Sequence, residues 1–327
     1  MDAGTAVTKR ALTRDALLSV VAPMFNEAAN AAPFVEEVLA AVDALGLPCA
    51  HELVLVDDGS WDGTSETLDA IAQKYPGALR VVHLTRNVGH AAAVSAGLDH
   101  ARGAAVILMD ADRQDDPAAF GPFLQKWQEG CEVVYAQRVL REESPPKRAL
   151  FWLFYRAFAW MANVRIPLDA GNFALLDRRV VKQLQALPER NRYLPGLRAW
   201  VGFKQAGVPV PRRARYDQQA RVGFRGLWTL AMNAVFSFSY VPLFVFRIAG
   251  LLSLGLSLAV ILFALYHKFF TGRAVLAWAS QLVTTSFLGG INLLGIGLLG
   301  EYIARIYDEV KARPIYIVDR VVEPPKH

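Results

Sequence analysis

Short apolar runs alternate with helical patterns through the first third of the chain, and this alternation constrains the fold more than any other feature. The predicted strands cover residues 18–22, 52–56, 80–84 and 106–109. A helical pattern follows the first of them, with Phe34, Val38 and Val42 on one face. Alternating strands and helices are typical of a parallel sheet covered on both faces. The sequence therefore predicts an α/β domain over residues 18–223, preceded by a flexible tail at 1–17.

Each predicted strand ends in a polar cluster. These clusters are Pro23 to Glu27, Asp57-Asp58, Arg86-Asn87 and Asp110-Ala111-Asp112. Ligands of such sheets bind outside the carboxyl ends of the strands, so Asp57 or Asp58 could accept hydrogen bonds from a base or ribose. Ordinary capping and turn chemistry is the alternative for any single cluster. Four clusters at one edge favour a ligand site, and the absence of GxxxxGK[ST] and GxGxxG disfavours a P-loop or dinucleotide site.

The fourth cluster has the composition of a metal site. Asp110 and Asp112 project to the same side of an extended chain, and Gln114 offers an amide oxygen nearby. Such hard oxygen ligands suit Mg²⁺ or Mn²⁺, completed by water and by phosphate oxygens of a substrate. The alternative is an acidic turn with a helix start at Asp115-Asp116-Pro117.

Charge and cysteine content narrow the class of partner. The net charge is +5, and arginines are concentrated at 138–165 and 212–225. This pattern favours phosphates or an anionic membrane face over nucleic acid. Cys49 and Cys131 lack metal-ligand spacing and are expected to stay reduced. The amino-terminal residues lack the apolar core of a signal peptide, so this region is expected in the cytoplasm.

Two uncharged apolar runs near the carboxyl terminus predict membrane-spanning helices. They cover about 248–266 and 274–300 within a hairpin at 247–300, and each is long enough to span. An aromatic-rich stretch at 224–246 predicts a helix at the bilayer interface, with packing against the α/β domain as the alternative, and 301–327 is predicted as a cytoplasmic tail. A hairpin buried in a soluble core is the alternative. Arginines flank both runs while the loop has only Lys268 and Arg273, so both termini are expected on the cytoplasmic side of the inner membrane.

Four motifs together resemble family 2 glycosyltransferases. They are PMFNEAAN, VDDGSWDGT, RNVGHAAAVSAG and DADRQDDP. The likeness continues through LDAGNFALLDRRVV, ERNRYLPGLRAWVGF, SFSYVPL and GEYIARIYDEVKARPIYIV, which is typical of the polyprenyl-phosphate branch of that family. The resemblance implies a Rossmann-like GT-A domain that transfers a sugar, with inversion, from a nucleotide-sugar donor to a polyprenyl phosphate such as undecaprenyl or dolichyl phosphate.

The resemblance also implies roles for particular residues. The donor nucleotide would be held by Pro23, Asn26, Glu27, Asp57 and Asp58, and Asp110, Asp112 and Gln114 would hold the cation. Arg138 would meet phosphate groups, and Asp169 would be an acid or orienting residue; both join Asp112 as candidate catalytic residues. Further phosphate contacts are expected from Lys147, Arg148, Arg215 and Arg221. For Arg138, Lys147 and Arg148 a solvated positive face is the alternative.

The chain departs from the branch at two places. Asn172 and Ala174 stand where an acid and an arginine are usual, and Arg221 replaces a lysine. Two rival functions are a processive polysaccharide synthase, whose QxxRW motif is absent from the sequence, and a non-catalytic membrane scaffold or transporter. The donor base, the sugar, the lipid length and any homo-oligomer stay open.

Overall fold

The computed structural model describes residues 10–139, 170–190, 192–211, 241–266, 269–270 and 278–323. The chain forms two compact units. The first comprises Met1–Ala231 together with Pro314–His327, and the second comprises Met232–Arg313.

The first unit is built on one eight-stranded sheet. Its strands are β1 Leu17–Met24, β2 Ala50–Asp57, β3 Leu79–Leu84, β4 Ala105–Leu108, β5 Val133–Val139, β6 Ala170–Asp177, β7 Gln205–Pro211 and β8 Val318–Val322, in the order β7-β5-β6-β4-β1-β2-β3-β8. Strands β1 to β4 pair in parallel, as does β5 with β7. Strand β6 is antiparallel to β4 and β5, and β8 is antiparallel to β3. The predicted α/β fold with a mostly parallel sheet is confirmed.

Helices follow the strands of this unit. They are α1 Ala28–Asp43, α2 Thr64–Lys74, α3 His90–His100, α4 Phe120–Gln128 after a short 3₁₀ turn at Pro117–Ala119, α5 Arg178–Ala186 and α6 Leu194–Trp200. The predicted apolar face of α1 is buried, since Phe34, Val38 and Val42 are at most 3% exposed. Burial of such side chains contributes most of the stability of a domain of this kind.

Helix α3 lies unusually close to the central strand. A Cβ atom at Gly97 would lie only 2.3 Å from Val21 Cγ1 and 3.1 Å from Val56 Cγ2. The absence of a side chain therefore allows α3 to pack directly on β1 and β2, and this fixes the position of the preceding turn at 87–89.

The predicted amino-terminal tail is partly anchored. Arg10 forms an ion pair with Glu132 at 2.7 Å and with Asp177 at 3.4 Å, and Leu12 is 4% exposed in the core. A guanidinium between two carboxylates and a buried leucine hold residues 10–16 on the domain, so the described part of this segment is not a loose tail.

Strand β8 was not predicted from the sequence. The segment lies within the predicted tail at 301–327, but Val318–Val322 extends the sheet beside β3, with Arg320 opposite His83. An edge strand satisfies backbone groups that β3 would otherwise leave unpaired on that side. The end of the chain is therefore part of the first unit.

The second unit contains two long apolar helices, α7 Val241–Tyr266 and α8 Trp278–Val310. Within them, Leu243–Phe263 and Thr284–Val310 are long and apolar enough to cross a membrane. Helix α8 continues ten residues past the predicted span end at 300, and an ion pair of Arg305 with Glu301 at 2.9 Å stabilises this extension. Of the predicted interfacial helix, residues 241–246 begin α7 and residues 224–240 lie outside the described residues.

Candidate active site

The loops that follow β1 and β2 are joined by hydrogen bonds. Asp58 N donates to Met24 O at 2.9 Å, and Asn26 N donates to Ser60 Oγ at 3.0 Å. In return Trp61 N donates to Asn26 Oδ1 at 3.1 Å. Asn26 has a φ of 53°, a left-handed conformation that a non-glycine residue adopts at a cost and that often marks a functional loop. The first two predicted clusters therefore form one surface.

The Asp58 carboxylate connects the third predicted cluster, Arg86-Asn87, to the loop after β2. It accepts hydrogen bonds from Val88 N at 2.8 Å, Gly89 N at 3.0 Å and Asn87 Nδ2 at 3.1 Å. Burial raises the pKa of Asp58, although the backbone donors of Val88 and Gly89 act in the opposite direction. The carboxylate predicted to bind nucleotide thus also holds the turn that begins α3.

Gly59 makes this close approach possible. Its φ is +66°, and a Cβ atom there would lie 2.4 Å from the carbonyl carbon of Arg86. Because that atom belongs to the backbone, it cannot swing away, and any side chain at position 59 would push the two loops apart.

Asp57 faces the interior of the domain. Its carboxylate is buried and accepts hydrogen bonds from Ser60 N at 3.0 Å, from the hydroxyl of Ser65, and from His83 Nδ1 at 3.0 Å. Burial acts to raise the pKa of Asp57, but the hydrogen bonds from His83, Ser65 and Ser60 lower it to about 2. Asp57 therefore braces the loop from within, which sequence reasoning did not anticipate.

The predicted metal ligands lie on the turn after β4. Asp110, Asp112 and Gln114 are all half-exposed, and Asp112 Oδ1 accepts a hydrogen bond from Gln114 N at 3.2 Å. Between them Arg113 has a φ of 57° and donates to Glu37 Oε2 at 2.8 Å, which holds the turn in a left-handed conformation. Carboxylate and amide oxygens are ligand types that suit Mg²⁺ or Mn²⁺. Within the described ranges, no group of three His, Cys, Asp or Glu side chains has the arrangement of a metal site.

The first and fourth clusters are also linked. Asn30 Nδ2 donates to Ala111 O at 2.5 Å and lies 3.4 Å from Glu27 Oε2. Glu27 is buried, while Pro23 is half-buried in β1, paired with Val56. The structure therefore brings the four predicted clusters together at the carboxyl edge of the sheet.

Two residues that sequence reasoning missed contact this edge. His90 Nε2 lies 3.4 Å from Asp110 Oδ1 and 2.8 Å from Asn172 Nδ2. Arg198, almost fully buried, donates to Gly171 O at 2.6 Å, and burial lowers its pKa to about 10. Asn172, one of the two residues that depart from the pattern of the polyprenyl-phosphate branch, thus contacts the predicted metal-binding turn through His90. The only sequence signal for His90 was its place directly after the Gly89 turn.

Ala174, the second residue that departs from the branch pattern, lies inside the sheet. It pairs with Leu108 on one side and Tyr135 on the other, and it is completely buried. A charged side chain at this position would be buried on one face of the sheet, which is costly without a partner.

The remaining predicted site residues fall outside what the structure places. Asp169, Lys147, Arg148, Arg215 and Arg221 lie outside the described residues. The backbone of Arg138 belongs to β5 and pairs with Val210, and its side chain is not described.

A family model described as Glycosyl transferase family 2 matches residues 19–185, which include all four clusters. The chain belongs to glycosyl transferase family 2. It is therefore a glycosyltransferase, as predicted. The residues that match the family model run from strand β1 to helix α5.

Similarity to curated family 2 proteins extends over nearly the whole chain. An uncharacterized glycosyltransferase of Synechocystis sp. is 39% identical over 92% of this chain and 94% of its own length. A prophage bactoprenol glucosyl transferase homolog of Escherichia coli is 36% identical over 93% of this chain and 99% of that protein. The bactoprenol glucosyl transferase of Shigella phage SfII is 36% identical over 93% and 97%. The predicted likeness to the polyprenyl-phosphate branch is confirmed.

Among solved structures, mannosyl-3-phosphoglycerate synthase from Rubrobacter xylanophilus is similar at 21% identity and a TM-score of 0.44, over 67% of this chain and 72% of that one.

Proposed function

We propose that this glycosyltransferase moves a hexose from a nucleotide sugar to a membrane polyprenyl phosphate, with inversion at the anomeric carbon. The observation that carries the proposal is end-to-end similarity to bactoprenol glucosyl transferases, which covers the two apolar helices as well as the sheet. A membrane hairpin suits an enzyme whose acceptor keeps its lipid tail in the bilayer. We place the protein in the cytoplasmic membrane, with its first unit and both termini on the cytoplasmic side.

The donor would lie along the linked loops at the carboxyl edge of the sheet. Asn26, Glu27 and Asp58 would hold the nucleotide, with Pro23 and Asp57 shaping the loops around it. These loops are already fixed by the hydrogen bonds of Asn26 and Asp58, so little ordering would be needed on binding.

The half-exposed oxygens of Asp110, Asp112 and Gln114 would hold Mg²⁺ or Mn²⁺. When bound, the cation would supply positive charge against the diphosphate of the donor. His90, beside Asp110 and Asn172, would orient that carboxylate.

The proposed transfer does not need a strong general base. The second pKa of a phosphate monoester is about 6, so the acceptor is largely dianionic near neutral pH and is itself the nucleophile. The greater demand is on cationic groups that neutralise the phosphates in the transition state. We assign this task to Arg138, Lys147, Arg148, Arg215 and Arg221, with Asp169 as an orienting carboxylate.

A transfer assay tests the proposal. Membranes containing the protein are incubated with Mg²⁺, undecaprenyl phosphate and a panel of radiolabelled UDP- and GDP-linked sugars. Label should enter the solvent-extractable lipid with one donor, and membranes containing Asp112→Asn serve as the matched control. Label in an insoluble polymer would favour a polysaccharide synthase, and no lipid labelling with any donor would overturn the proposal.

A further inference from the structure

A chain of polar contacts runs from the last strand of the sheet to the interior of the domain. Arg320 on β8 donates to Asp69 Oδ2 at 2.8 Å. The other oxygen of Asp69 lies 2.8 Å from His83 Nε2, and His83 Nδ1 lies 3.0 Å from Asp57 Oδ2. In the sheet, Arg320 is directly opposite His83.

Charges alternate along this relay of Arg320, Asp69, His83 and Asp57. Among the described residues, the charged groups that face His83 are Asp57 from β2, Asp69 from α2 and Arg320 from β8. Burial acts to lower the pKa of His83, but the two carboxylates raise it, so the ring carries positive charge more readily than a free histidine. An imidazolium donates from both ring nitrogens, which matches one carboxylate on each side.

Beyond Asp57 the contacts reach the loops of the proposed donor site. Asp57 Oδ1 accepts from Ser60 N at 3.0 Å, and Ser60 Oγ accepts from Asn26 N at 3.0 Å. Asn26 in turn accepts from Trp61 N through its side chain. The orientation of the Asp57 carboxylate therefore helps to set the backbone of both loops.

We propose that Arg320 is a positioning residue for the nucleotide-sugar donor, acting through Asp69 and His83 on the loops after β1 and β2. The inference rests on the proposed function and extends the donor site to a strand that begins eight residues after the end of the apolar helix α8. An edge strand opens more easily than a central one, and the ion pair of Arg320 with Asp69 ties it to the relay.

Matched arginine variants isolate the relay from the docking of β8. Arg320→Ala removes the first link, and Arg320→Lys keeps its charge. Arg102→Ala is the control, because Arg102 contacts the same terminal segment at Glu323, 2.9 Å away, and has no described contact with His83. Full-length protein in detergent is titrated with UDP and with GDP, and KM and kcat are measured with the active donor.

Arg320→Ala should weaken nucleotide binding and raise the donor KM by about three- to tenfold, as expected for loss of one partly exposed charged hydrogen bond, with little change in kcat. Arg320→Lys should recover most of the loss, and Arg102→Ala should bind like the wild type. Asp69→Asn, which breaks the same relay at its next residue, should reproduce the Arg320→Ala effect and carries the test if that variant does not fold.

Equal dissociation constants for Arg320→Ala and the wild type would overturn this inference and leave the proposed function standing. An equal loss in Arg102→Ala would overturn it too, because docking of the strand would then explain the effect. If the wild type bound neither nucleotide, both this inference and the proposed function would fail.

Discussion

Asp110 and Asp112 are the residues on which the proposed chemistry depends most. Both are half-exposed on the turn after β4, so replacing either by asparagine removes charge without opening the core. We expect either variant to lower turnover by about a hundredfold or more, the size of effect seen when a charge-stabilising group is removed from an active site. The measurement is lipid-linked product per unit time at saturating Mg²⁺.

Asp116→Asn is the matched control for this prediction. Asp116 caps the 3₁₀ turn by accepting from Ala118 N, a contact that asparagine also makes, so the variant loses one charge and keeps the cap. This variant should retain activity, whereas EDTA should abolish the activity of the wild type. Undiminished turnover in EDTA would contradict the metal assignment.

The buried His83 predicts a pH-dependent contribution to stability. Its pKa is raised in the folded protein, so its contribution is fully present below the unfolded value of about 6.5 and is lost as pH rises through the folded value. The difference in thermal stability between wild type and His83→Gln should therefore be largest near pH 6 and become smaller at alkaline pH. A gap that stays constant across this range would mean that His83 is not the titrating group.

Residue types and their order were enough to predict the edge of the site but not its internal contacts. Asp57 and Asp58 are neighbours, and the sequence alone does not distinguish their roles. In the structure Asp57 faces His83, whereas Asp58 holds the turn at Val88. The partners of these carboxylates lie on β3 and in the turn that follows it, 26 and 30 residues away along the chain. Only the sheet register decides which partner each carboxylate meets.

At the scale of elements, the closeness of α3 to β1 makes a prediction about Gly97. Gly97→Ala gains helix propensity worth up to about 1 kcal/mol but places a methyl group against Val21, and overpacking of this kind costs about 1–3 kcal/mol. We expect a net loss in the free energy of unfolding. Gly121→Ala in α4 is the control, because the nearest atom there is Leu45 Cδ2 at an ordinary 3.6 Å.

Chemical or thermal denaturation of the two alanine variants provides the comparison. Gly121→Ala should equal or exceed the wild type in stability. If Gly97→Ala were as stable as Gly121→Ala, the direct contact between α3 and β1 would not limit side-chain size.

Elements differed in how well their sequence specified them. The first four strands are apolar runs buried on both faces, a pattern that a parallel sheet imposes and that is visible without partners. Strand β8 is short and half exposed, and Asp319 and Arg320 interrupt it, so its sequence resembles a polar tail. It forms a strand because it pairs with the edge of β3, and the local sequence pattern does not reveal this partner.

At the scale of the whole molecule, the charge distribution predicts orientation in the membrane. Single cysteines at Thr271 and Lys326, in a background lacking Cys49 and Cys131, are probed in intact cells with an impermeant thiol reagent. Position 271 should be labelled and position 326 protected, because short flanks rich in arginine stay in the cytoplasm. Labelling at 326 but not at 271 would reverse the orientation and remove the proposed access to a cytoplasmic donor.

The two units were visible in composition because one has alternating strands and helices and the other has long uncharged apolar runs. What composition does not encode is that the chain returns to the first unit after the apolar helices. That return depends on strand pairing between residues more than 200 positions apart.

Product analysis with purified protein shows whether the chain transfers a single sugar to the lipid phosphate. The full-length chain in detergent is given Mg²⁺, undecaprenyl phosphate and the nucleotide sugar selected by the panel, and lipid product and released nucleoside diphosphate are quantified together. We expect one lipid carrying a single hexose on its phosphate for each nucleoside diphosphate released, and about a hundredfold less of both products with Asp112→Asn. Release of nucleoside diphosphate without a glycosylated lipid would contradict it.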